Sequence, residues 1–96
     1  MTSSEGTPPR PEDLRSRDEL EAFLRTGLAA ALGISADAVE RRQTFTTFGL
    51  DSIKAFALTG DLAEWMDRDL PATLFWDHPN IEALTRFVAE ALGLPE

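Results

Sequence analysis

Phe45-Thr46-Thr47-Phe48-Gly49-Leu50-Asp51-Ser52-Ile53 places a serine at the start of a predicted helix, directly behind an aspartate suited to capping it. A nucleophilic hydroxyl needs a base within hydrogen-bond reach and a group that orients the base. The chain has one histidine, His78, and no cysteine. His78 stands beyond a whole helix in sequence, and no oxyanion hole can be located to complete a catalytic set. No catalytic residue is therefore assigned. The economical reading is that Ser52 is acted upon by another molecule, its hydroxyl covalently loaded from outside.

Working outward, Asp51 as N-cap makes Ser52 the first residue of a helix running to about Met66. Ala55, Leu58, Leu62 and Trp65 fall on one stripe, the expected core face, and Ser52, Phe56, Thr59 and Ala63 on another. Gly60 in the helix interior costs about 1 kcal/mol relative to alanine. Either a partner approaches closely there or a neighbouring helix packs tightly.

Upstream, Ser16 and Glu19 form the S-x-x-E pattern of a capping box. Leu20, Phe23, Leu24, Leu28, Ala31 and Leu32 then recur at helical steps on one face, and Gly33 stops the helix. The connection from Gly33 to Asp51 is long enough to require function or internal packing. Its apolar residues Ile34, Val39, Phe45, Phe48 and Leu50 favour packing onto helices, and Ser35 suits the cap of a short turn at 36–39. A strand at 44–48 would lack a partner and is rejected. Downstream, Leu70-Pro71 opens a turn or two at 72–75. Asn80 then caps a last helix carrying Ile81, Leu84, Val88 and Leu92, ended by Gly93 and Pro95. The sum is an all-α, four-helix bundle: three main helices, one short helix and a long first loop.

Ninety-six residues, 43% of them apolar, suit a single core. Residues 1–12, with three prolines, a glycine and no apolar period, read as a flexible tail; residues 13–94 form the domain. The lack of cysteine excludes disulfides and thiolate zinc sites. No signal segment or apolar run near the ~18 residues of a membrane span is present, so a soluble, cytoplasmic, membrane-free chain is expected. A net charge of −8, with Lys54 the only lysine, argues against nucleic acid and favours partners with basic docking surfaces.

Two segments carry a resemblance to the acyl carrier protein family, the phosphopantetheine-bearing domains of fatty acid and polyketide synthesis. The segment from Phe45 to Ile53 resembles the family's F-x-x-L-G-L-D-S-L. Leu70-Pro71-Ala72-Thr73-Leu74-Phe75-Trp76-Asp77-His78-Pro79-Asn80-Ile81-Glu82-Ala83-Leu84 resembles the L-P-x-T-L-x-F-D-Y-P-T-x-x-A-L segment of polyketide-type carriers. The likeness covers roughly residues 14–92.

This resemblance implies that Ser52 receives 4′-phosphopantetheine from coenzyme A through a phosphopantetheinyl transferase, and that the arm then holds an acyl group as a thioester. A phosphodiester there would sit beside unpaired backbone N–H groups at the positive end of a helix dipole. The resemblance also implies that Asp51, besides capping, helps the transferase engage. The further partners it implies are acyl-loading and acyl-processing enzymes: an acyl-activating ligase, an acyltransferase or a ketosynthase. Leu50, where peptidyl carriers usually show glycine, favours an acyl or polyketide cargo over an amino-acyl one.

Phe48, Leu50, Ile53, Phe56, Gly60, Asp61 and Glu64 form the candidate partner-facing set. Phe48, Ile53 and Phe56 read equally as exposed anchors or as residues tucked against the long connection. The acidic run Asp61, Glu64, Asp67 and Asp69 reads as a docking face or as a solvated one. Lys54 and Gly60 depart from the family pattern. His78, Trp65 and Trp76 read as structural, the tryptophans at the core or its edge. A discrete, monomeric carrier is expected. The rivals are a peptidyl carrier of nonribosomal peptide synthesis and an unmodified helical interaction module.

Overall fold

Four helices, three of them capped by a side chain, frame the described part of the chain. The computed structural model describes residues 9–95, and no strand occurs among them. Helix α1 (Arg17–Leu32) starts where the Ser16 hydroxyl accepts the Glu19 backbone N–H, and ends at Gly33 with φ 72°. Helix α2 (Ser52–Met66) starts at Asp51, α3 (Leu74–Asp77) follows Thr73, and α4 (Ile81–Leu92) starts where Asn80 accepts from the Ala83 N–H. Three polar N-caps therefore satisfy orphan N–H groups at the starts of the three long helices.

The core forms where apolar stripes meet. Leu20, Leu24 and Leu28 of α1 meet Ile81, Leu84, Val88 and Ala89 of α4, joined by Leu74 and Phe75 of α3. Phe45, Val39 and Leu50 from the long connection close one side of that core, as the apolar content of the connection predicts. Two 3-10 turns, Ala36–Ala38 and Phe45–Phe48, occupy this connection, the second where a strand was rejected.

Several sequence expectations need correction. On α1 the buried small residue is Ala29, while Ala31 faces solvent. On α2 the buried stripe is Ala55, Thr59, Leu62 and Met66, with Leu58 and Trp65 at its half-buried edge. Thr59 tolerates burial because its hydroxyl donates to the Ala55 carbonyl at 2.8 Å. The short helix forms at 74–77, not 72–75, because Leu74 and Phe75 are the residues that reach the core. Trp76 stands 42% exposed and is not a core residue.

Of residues 1–12, the first eight lie outside the described residues. Pro11–Asp13 forms a 3-10 turn, and the Trp65 indole N–H donates to the Pro9 carbonyl at 2.8 Å while its ring stacks on Phe23 at 4.5 Å. His78 stacks on Phe87, also at 4.5 Å, a structural contact as expected. No described helix is long and apolar enough to cross a membrane.

Candidate functional site

The chain reaches Ser52 through a tightly pinned approach. Phe45 is buried edge-on to Phe75, with ring centroids 5.4 Å apart, and its backbone N–H donates to the Pro79 carbonyl at 2.8 Å. Four residues later the 3-10 turn is stopped by Gly49 at φ 95°, a conformation that a side chain would strain. The Leu50 N–H then turns back to the Phe45 carbonyl at 3.1 Å while its side chain enters the core. Two buried anchors thus bracket the glycine and deliver the next residue at a fixed angle.

That residue is Asp51. Its backbone is extended, φ −111° and ψ 178°; its carboxylate accepts the Lys54 N–H at 2.9 Å and its carbonyl accepts the Ala55 N–H at 2.8 Å. Ser52 is consequently the first helical residue, as the capping pattern predicts, and it is exposed. The N–H groups of Ser52 and Ile53 have no acceptor within the helix, because the first turn of any helix leaves its donors free. At the positive end of the helix dipole, these free donors suit a negatively charged substituent on the hydroxyl. A long arm on Ser52 would leave the protein directly into solvent.

Away from the core, α2 presents a second surface. At about 100° per residue, Ile53, Phe56, Gly60 and Glu64 share the face opposite Ala55, Thr59, Leu62 and Met66, with Asp61 at its margin. All five are exposed, Ile53 at 82% and Phe56 at 70%. A Cβ added at Gly60 would meet nothing within 4 Å, so no neighbouring helix requires the glycine. Leu50 must be withdrawn from the partner-facing set, since it is only 4% exposed and spends its side chain on the core. Phe48 is half-buried and packs against that core.

A family model described as the phosphopantetheine attachment site matches residues 22–88, most of the chain and all of the capped turn just described. The chain belongs to this family. It is a carrier domain of the acyl carrier protein kind, and its prosthetic group is 4′-phosphopantetheine.

Among relatives, it is 38% identical to the spectinabilin polyketide synthase system protein NorA of Streptomyces orinoci over 98% of this chain and 6% of that protein. It is 39% identical to the erythronolide synthase EryA3 of Saccharopolyspora erythraea over 77% of this chain and 2% of that protein. The carrier thus spans a small fraction of these curated relatives. Solved structures match over most of their length. A free-standing peptidyl carrier protein from Acinetobacter baumannii gives a TM-score of 0.74 at 34% identity, covering 80% of this chain and 96% of that one. The HMG-ACPI domain from the CurA module of Lyngbya majuscula gives 0.76 at 27%, covering 92% and 90%.

The residues present fit the prosthetic group. Ser52 is exposed, free N–H groups of the first helical turn lie beside it, and the Asp51 carboxylate is committed to its cap. When attached, the arm supplies a terminal thiol, the sulfur this cysteine-free chain lacks, on which an acyl group is carried as a thioester.

Proposed function

We propose that Ser52 is the attachment residue and that the chain carries acyl or polyketide intermediates among partner enzymes without catalysing their chemistry. The observation that carries this reading is the exposure of Ser52 at the first position of a helix whose approach is fixed by buried anchors. In the loading step the Ser52 oxygen bonds to the phosphorus of the pantetheine phosphate of coenzyme A. The pyrophosphate P–O bond breaks, adenosine 3′,5′-bisphosphate departs, and the hydroxyl proton passes to a base on the transferase. This chain contributes the positioned oxygen, the free backbone donors beside it, and Asp51 as cap and transferase contact.

Ile53, Phe56, Gly60, Asp61 and Glu64 form the surface proposed to meet the transferase and the acyl-activating, acyltransferase or ketosynthase partners. Its apolar centre is available for burial, and acids at Asp61 and Glu64 suit basic docking groups. A cytoplasmic, monomeric carrier fits the acidic, cysteine-free chain. The polyketide synthases among its relatives favour an acyl cargo. The likeness to a peptidyl carrier supports the second reading, an amino-acyl cargo.

The test is intact-mass analysis after incubation with coenzyme A and a broad-specificity phosphopantetheinyl transferase. One phosphopantetheine is gained by the native chain and none by Ser52→Ala; a native chain that gains nothing is an unmodified module instead. Offering the loaded protein to an acyl-activating ligase and to an amino-acid-adenylating enzyme then decides the cargo.

A further inference from the structure

The first turns of α1 and α4 and the loop at Arg41 line a half-open polar pocket of about 260 Å³, and no residue of α2 lines it. Its carboxylates are largely engaged. Glu21 pairs with Arg25 at 3.0 Å and with Arg41 at 3.1 Å, and Glu82 pairs with Arg41 at 3.6 Å and with Arg42 at 3.4 Å. Arg17 and Arg86 also line the pocket, and among the described residues neither joins an ion pair. The Arg17 Nε is buried without an acceptor. Thr85 lies in the wall between them, 4% exposed, and its Oγ1 is buried with no hydrogen-bond partner. Buried polar atoms are ordinarily satisfied, and two that are not belong to residues lining this same space.

The charge is as unusual as the geometry. In a chain of net charge −8, three arginines, Arg17, Arg41 and Arg86, line this space and balance Asp18, Glu21 and Glu82, while Arg25 and Arg42 pair with the two glutamates from outside the lining. We propose that this pocket binds a tetrahedral oxyanion, a phosphate or a phosphate monoester, through Arg17, Arg86 and the Thr85 hydroxyl. A guanidinium offers paired N–H donors suited to phosphate oxygens. A phosphate directs its oxygens tetrahedrally, so it meets donors arriving from three sides, whereas a carboxylate's acceptor sites lie in one plane. The site is separate from Ser52 and does not depend on the carrier reading.

The experiment titrates the ¹⁵N-labelled full-length chain with inorganic phosphate, and separately with adenosine 3′,5′-bisphosphate, at constant ionic strength with chloride as reference. Saturable shifts of the Arg17, Thr85 and Arg86 amides with phosphate but not chloride are expected. Tighter binding of the bisphosphate marks a phosphate ester as the ligand, and tighter binding of inorganic phosphate marks the free ion. Thr85→Val, close in shape and without the hydroxyl, weakens binding about tenfold, and Arg17→Gln with Arg86→Gln abolishes it in a chain whose spectrum stays dispersed. Shifts that never saturate, that chloride reproduces, or that survive Thr85→Val unchanged mean an adventitious ion only and overturn the site.

Discussion

The Asp51 carboxylate accepts the backbone N–H of Lys54 at 2.9 Å, closing the first turn of α2 around Ser52. This bond joins stability to the proposed function, because the residue that caps the helix also immediately precedes the hydroxyl proposed to be loaded. The two contributions separate by substitution. Asp51→Ala loses the cap and about 1 kcal/mol of stability. Asp51→Asn keeps an acceptor and a near-native melting temperature while slowing phosphopantetheinylation. Equal modification rates for wild type and Asp51→Asn would confine Asp51 to capping.

Gly60 places a helix-breaking residue in solvent where the fold has no use for it. Gly60→Ala is therefore expected to stabilise the chain by about 0.5–1 kcal/mol in denaturant unfolding, by restoring helix propensity. The same change slows acyl transfer by partners that approach α2 closely. A stability loss would show that Gly60 serves the fold after all.

Leu50 and Ile53, three residues apart, diverge in burial from 4% to 82% exposed. Leu50→Ala removes a core anchor and costs about 2–5 kcal/mol. Ile53→Ala and Phe56→Ala remain within about 0.5 kcal/mol of wild type while lowering loading by partner enzymes. Thermal melts paired with loading rates check the contrast, and a large stability loss at Ile53 would contradict it.

Trp65 anchors the segment preceding α1 by its indole N–H as well as by stacking. Trp65→Phe keeps a ring against Phe23 but loses the bond to the Pro9 carbonyl, for an expected cost of about 1 kcal/mol. Amide exchange measures the consequence locally, since protection at residues 10–14 should fall while the middle of α4 stays protected. Unchanged exchange at those residues would make the hydrogen bond inconsequential.

Helix boundaries were legible because their chemistry is local. Ser16, Asp51 and Asn80 each cap within three residues, and Gly33 and Gly93 each end a helix in a left-handed conformation. Facing was harder where it depended on partners remote in sequence. Ala55 and Leu62 are shared by two possible stripes on α2, and the polarity of Thr59 favoured the wrong one. Met66, in step with Ala55, Thr59 and Leu62, was the available signal for the right one. The inward turn of Leu50 depends on its bond back to Phe45, and the exposure of Trp76 depends on which face of a four-residue helix meets the core. The apolar content of the connection predicts the first, although the same residue also reads as partner-facing; the second is not written in local spacing. The position of Ser52 was legible from Asp51 alone. Its exposure required the fold.

The central claim is that the Ser52 oxygen is the tether. Its most direct test is tandem mass spectrometry of peptides from the chain after treatment with transferase and coenzyme A, reading which residue carries the added group. Phosphopantetheine is expected on Ser52, on the peptide spanning Asp51 to Ile53, and nowhere else. A modification on another hydroxyl, with Ser52 recovered bare, would contradict it.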